Sequence, residues 1–249
     1  MSRSADDNNA LKRNNRNNGR ISVESTANTF SEVAYRMVHG SMQELLDSIQ
    51  SLKKSDVKDL VDLRLADFKE VGDSSDNEIF KELCFCILTA NFSADKSMKA
   101  QMEIGGGFLT ASEPDLTRKL RELGHRYPNV RAKYIVAARK YKHSIRDFLK
   151  AFDDGNNLRE WLVKNIRGIG HKEASHFLRN IGYTDFAIID FHIIDILVRY
   201  GIIVEPKTLT RRRYLKIENL LKEMARKSGI NLAELDLYLW YMETGKILK

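Results

Sequence analysis

From Thr29 onward the apolar residues recur at spacings of three and four, the period of an amphipathic helix. Ile79, Phe80, Leu83, Ile87 and Leu88 form one such stripe; Ile217, Leu220, Leu221 and Met224 form another. Punctuating residues agree with that period. Ser74-Ser75-Asp76 precedes a helix expected at 79–90, Gly105-Gly106-Gly107 follows one expected at 96–103, and Gly201 closes one starting near His192. The three prolines, Pro114, Pro128 and Pro206, leave long stretches uninterrupted. No alternation of period two is long enough for a sheet, and no internal repeat is visible. The pattern predicts an all-α protein of about ten helices joined by short loops. Residues 1–28 differ, with seven asparagines, five basic and three acidic residues and almost no large apolar ones. Such a stretch buries too little to offset its chain entropy, so a disordered N-terminal tail is expected there.

A chain of 249 residues can bury one substantial core, or two smaller ones sharing a cleft. Its 41 basic against 34 acidic residues give a net charge of +7, a basic excess that suits a polyanionic partner without proving one. No apolar run is long enough to span a membrane, and the opening residues lack a signal-peptide core, so an intracellular protein is expected. Cys84 and Cys86, two apart in a helical run, do not face each other and read as buried thiols. Two cysteines exclude a four-cysteine iron–sulfur cluster and an all-thiolate zinc site.

The segment from Leu162 to Gly182 carries most information. One short helix is expected to end near Ile166, a Gly168-Ile169-Gly170 turn to follow, and a second helix to run from about His171 to Asn180. The two glycines allow close approach, Ile169 can tuck between the helices, and Ala174, Phe177 and Leu178 supply a packing stripe. Such a turn aims N–H groups at a helix N-terminus, which suits a DNA phosphate. An ordinary αα-hairpin with a glycine turn fits the same residues.

Lys172 falls in the first turn of the second helix, where the helix dipole disfavours an ammonium and favours a nucleophilic amine able to form Schiff bases. Asp190 interrupts an apolar run just before a helical pattern. It reads as a helix N-cap, as a cleft-facing carboxylate that accepts a proton from Lys172 or stabilises a sugar cation, or as both. Asp195 is the rival acid, expected inside the helix. His192 is read as a phosphate contact or as a packing histidine.

At these residues the sequence resembles the helix-hairpin-helix DNA glycosylases. It is most similar to the archaeal-type second class of 8-oxoguanine DNA glycosylase/lyases, over roughly residues 45–249. The likeness is carried by Lys81–Phe92, Leu123–Arg126, Gly168–Arg179, Pro206–Leu209 and Leu235–Lys249. It implies two helical subdomains flanking a cleft, one formed by residues 29–85 with 200–249, the other a helical barrel of 86–199 holding the hairpin at about 158–182. It implies a bifunctional enzyme acting as a monomer on double-stranded DNA, with no cofactor needed for catalysis. Lys172 would attack C1′ and cut the strand by β-elimination, assisted by Asp190, while Gly168, Gly170 and His192 hold the DNA backbone. Trp240 would stack on the extruded base, Tyr127 would face it, and Lys249, through its carboxylate, would bind the base's N1 and N2 edge. Asn91 would fill the gap left by the base, or else cap a helix. Main-chain carbonyls of Lys164, Ile166 and Ile169 would hold a structural monovalent cation. Phe191 stands where a polar or basic residue is expected. Two other readings remain open: an endonuclease III-like pyrimidine glycosylase, and a non-catalytic DNA-binding module.

Overall fold

Seven of the described helices begin where a short polar side chain satisfies one of their first free N–H groups. The structure, a computed structural model, describes residues 42–90 and 92–249. In chain order the α-helices are α1 (42–52), α2 (Val57–Asp73), α3 (Asp76–Thr89), α4 (Ala94–Ile104), α5 (Gly107–Thr110), α6 (Glu113–Glu122) and α7 (Pro128–Ala138). A 3-10 turn, Arg139–Tyr141, then leads to α8 (Ile145–Lys150), α9 (Gly155–Asn165), α10 (His171–Asn180), α11 (Phe191–Arg199), α12 (Arg211–Ser228) and α13 (Leu232–Thr244). Ser75, Ser93, Ser112, Asp154, Asp190, Thr210 and Asn231 each accept a main-chain N–H at a helix start. Gly229 and Gly245 close α12 and α13 in the left-handed conformation. No strand occurs among the described residues, as the pattern predicts. The helices outnumber the expectation because α5 and α8 are too short to display a period. The 1–28 tail lies outside the described residues.

Two apolar cores form. One runs from Ile79 to Phe186; the other joins Met42–Phe68 to Ala187–Leu239. The expected boundaries at residues 86 and 199 therefore do not follow the packing. The helix α3 is apolar on nearly every side, with Ile79 through Thr89 buried except Lys81, so it belongs inside the middle core and not at its edge. By contrast α11 turns Ile193, Ile196 and Leu197 toward the terminal core. Cys84 and Cys86 are buried free thiols, and burial pushes both well above the ordinary thiol range. No described helix is long and apolar enough to cross a membrane.

A buried ion pair ties the two cores together. Arg159 of α9 donates to both carboxylate oxygens of Glu218 on α12, at 2.5 and 2.8 Å, with the two side chains 1% and 2% exposed. Arg159 also reaches Ser175 Oγ at 3.1 Å and lies over the Phe186 ring. Glu218 Oε1 in turn accepts the Ala187 N–H at 3.2 Å, fixing the start of the segment that leads to Asp190.

Candidate active site

The hairpin forms where the sequence places it. Gly168 has φ +85, a left-handed backbone that favours glycine, and a Cβ there would stand 2.5 Å from the Tyr134 ring. Ile169 is buried in the middle core, between α9 and α10. Gly170 caps α10, but its N–H donates to Glu173 Oε2 at 3.1 Å. The N–H that Gly170 was expected to offer to DNA is held in this structure by an intrahelical carboxylate.

Two residues past Gly170, the first turn of α10 delivers Lys172 to a cleft of about 780 Å³. Lys172 is partly buried, and its ammonium lies 3.7 Å from Glu173 Oε1. Opposite elements supply the rest of the lining. Asp190 comes from the N-terminus of α11, Trp240 and Asp236 from α13, Lys249 from the chain end, and Phe92 from the loop before α4. Asp190 is indeed the N-cap, its Oδ1 accepting the Ile193 N–H at 3.1 Å, and it faces the cleft as well. Capping leaves the carboxylate at the exposed end of the helix, so the two readings coexist. Asp195 is exposed and is not in the lining.

Trp240 stands in the cleft with its indole N–H buried and without a hydrogen-bond partner. His192 packs edge-on to it, with centroids 4.6 Å apart, and so forms part of the wall of the cleft. Lys249 points inward: its ammonium pairs with buried Glu82 at 2.7 Å and lies over the Phe85 ring. Tyr127 does not reach the cleft. It is 39% exposed ahead of α7, under the Arg126 guanidinium. The aromatic in the lining is instead Phe92, stacked on His125 at 4.3 Å. Tyr127, the N-cap of α7 before Pro128, is thus not brought to the cleft that Phe92 lines. Asn91 lies outside the described residues.

Besides Phe92, the lining includes His176, Arg179 and Asp236, which the sequence did not single out. A signal existed for two of them, since His176 and Arg179 follow Lys172 at helical spacing and share its face. Arg179 is paired with Asp236 and donates to Asn180 Oδ1 at 3.0 and 2.9 Å. Burial pushes the Asp236 carboxyl up to about 6; Arg179 opposes that rise, and the Asp190 charge adds to it. Lys164 and Ile166 lie at the C-terminal end of α9, where the last carbonyls lack intrahelical partners. The Ile166 carbonyl receives a long bond of 3.3 Å from Ile169. No cluster of three or more His, Cys, Asp or Glu able to hold a metal occurs among the described residues.

Comparison with known proteins places this geometry in context. Residues 61–230 match the family model described as 8-oxoguanine DNA glycosylase. An 8-oxoguanine DNA glycosylase/AP lyase of Korarchaeum cryptofilum is 53% identical over 209 residues, covering 84% of this chain and 99% of the relative. The crystal structure of the Methanocaldococcus jannaschii 8-oxoguanine glycosylase/lyase, in complex with a 15mer DNA containing 8-oxoguanine, superposes with a TM-score of 0.80 at 51% identity. That match covers 83% of this chain and 100% of the other. The Thermotoga maritima 8-oxoguanine DNA glycosylase gives a TM-score of 0.78 at 43% identity, covering 84% and 100% of the two chains. With its hairpin, its helical fold and a family match over most of its length, the chain belongs to the 8-oxoguanine DNA glycosylase family.

Proposed function

We propose that this protein excises 8-oxoguanine from double-stranded DNA and then cuts the strand at the resulting site, with Lys172 as nucleophile. The observation that carries the residue roles is that Lys172 and Asp190 line one cleft with Trp240, Phe92 and Lys249. A cleft of about 780 Å³ accepts a purine extruded from the stack, which an enzyme acting on a base inside a duplex requires.

The unprotonated Lys172 amine attacks C1′, the C1′–N9 bond breaks, and the base leaves with its bonding electrons and takes up a proton. Asp190 accepts a proton from the attacking nitrogen and stabilises positive charge on the sugar. Ring opening gives a Schiff base, loss of the C2′ proton breaks the C3′–O bond, and the strand parts 3′ to the lesion. Trp240 and Phe92 offer aromatic faces to the base, and Lys249 its main-chain oxygens to the N1 and N2 edge. The Gly168 turn holds a phosphate at the start of α10. Carbonyls of Lys164, Ile166 and Ile169 have the chemistry to hold a monovalent cation, which would add positive charge behind that phosphate. In the same reading the protein acts as a monomer on DNA inside the cell.

Borohydride trapping tests the assignment. The wild-type protein is expected to crosslink to an 8-oxoguanine duplex and Lys172→Gln to lose the crosslink. An undiminished crosslink in that variant refutes Lys172 as nucleophile. A preference for thymine glycol over 8-oxoguanine would move the protein to a pyrimidine-specific reading.

A further inference from the structure

Lys172 has to lose two protons on the way to the Schiff base. One must leave its ammonium before a lone pair is free to attack C1′, and a second leaves the nitrogen once the new bond has formed. Asp190 takes the second; the first has no acceptor so far. Asp190 stands on α11, where its Oδ1 accepts the Ile193 N–H at 3.1 Å. Among the described residues the Lys172 ammonium makes one ion pair, and its partner is Glu173, with Oε1 at 3.7 Å.

Glu173 lines the cleft beside Lys172, their side chains 13% and 28% exposed. Its other oxygen, Oε2, accepts the Gly170 N–H at 3.1 Å, so the carboxylate is fixed at the start of α10 instead of sweeping through solvent. A distance of 3.7 Å is longer than a hydrogen bond, and such contacts tighten when substrate binds. A nucleotide that fills the cleft expels water from this pair. Two charges stripped of hydration are less stable than a neutral amine beside a neutral acid, so the proton crosses from nitrogen to oxygen. On α10 itself His176 and Arg179 also face the cleft. From other elements come Asp190 and His192 of α11, Asp236 of α13, Lys249, the Lys246–Asp95 pair, and Arg131 of α7, on which the Glu173 charge acts.

We infer that Glu173 is a second catalytic carboxylate, the base that removes the first proton from the Lys172 ammonium. This rests on the proposed role of Lys172 and not on which base is excised. The Nζ–H bond breaks and Oε1 takes the proton. The electron pair left on nitrogen forms the bond to C1′, and the C1′–N9 pair departs with the base. Asp190 then takes the second proton, and Glu173 returns the first to water when the product leaves.

The test follows single-turnover base release from an 8-oxoguanine duplex and borohydride-quenched adduct formation at a preformed abasic site. Both are measured from about pH 7 to about pH 9, above the value near which Asp236 titrates. Wild type is expected to vary by less than about threefold over that range, because the proton moves within the pair. Glu173→Gln keeps an acceptor for the Gly170 N–H but cannot take a proton. Both of its rates should be at least about 10²-fold lower near neutral pH and climb by about tenfold per pH unit, as hydroxide replaces the carboxylate. The other titratable groups are common to both proteins, so the steepening belongs to Glu173. Glu173→Ala, which also frees the Gly170 N–H, should show the same slope. The inference is overturned if Glu173→Gln keeps wild-type rates, or reacts faster, the sign of a carboxylate that merely held the lysine charged. It is also overturned if the rates fall with the wild-type pH dependence, the mark of a structural role. Adduct formation without release of 8-oxoguanine would refute the substrate reading alone, and the abasic site would still judge Glu173. A wild type that forms no adduct refutes Lys172 as nucleophile, and Glu173 with it.

Discussion

Glu218→Gln strips the charge from one half of the buried pair that joins the two cores, while leaving the shape of the site nearly unchanged. Arg159 stays charged, 1% exposed and without a counterion, which is the arrangement that buried pairs penalise most. Breaking such a pair by neutralising one partner costs about 3–5 kcal/mol. Glutamine keeps one acceptor oxygen, so a value near the lower end, about 3 kcal/mol, is expected. For a chain of this size that corresponds to a fall of roughly 6–12 °C in Tm. Urea unfolding of the wild type, of Glu218→Gln and of the double variant Arg159→Met/Glu218→Gln measures it. In the double variant the stranded charge is gone and the Ala187 N–H still has an acceptor. It should therefore be more stable than Glu218→Gln alone, because replacing both members of a buried pair is often close to neutral. A single variant within about 1 kcal/mol of wild type, or a double variant less stable than the single, would refute the staple as the source of the coupling.

Three other outcomes follow from the site. Asp190→Asn preserves a good N-cap, so stability should change by less than about 0.5 kcal/mol while excision slows by about 10²–10⁴-fold; a large loss in Tm at normal activity would make Asp190 a capping residue alone. Gly168→Ala places a Cβ 2.5 Å from the Tyr134 ring at φ +85 and should cost about 1–3 kcal/mol and weaken binding to undamaged duplex, whereas unchanged affinity in a fluorescence titration would remove the hairpin from the DNA contact. Asp236, pushed up to about 6 from the ordinary 3.8, holds its proton more tightly in the folded chain than in the unfolded one. Its contribution to stability is thus full below the unfolded value and declines as pH rises through the interval up to the folded one. Urea midpoints across that interval should show the decline in wild type and lose it in Asp236→Asn; an unchanged slope in the variant would assign the effect to another group.

The sequence by itself determined the helical class, the hairpin with its turn at Gly168 and Gly170, and the adjacency of Lys172 to that turn. All of these are local: period, capping side chains and glycine positions act over a few residues, and a helix from His171 to Asn180 follows from them directly. Tertiary structure alone decided which distant segments meet. Trp240 and Lys249 reach Lys172 because α13 packs across the chain against α11 and α2, and no local pattern encodes that approach. The same holds for Phe92, which lines the cleft while Tyr127 does not, since no local pattern says which ring meets it. Subdomain boundaries shifted for a related reason: a helix apolar on nearly every side, such as α3, announces burial but not the core that buries it. Gly170 shows the limit from the other direction. Its N–H looked free for a phosphate in sequence, and one carboxylate three residues later takes it.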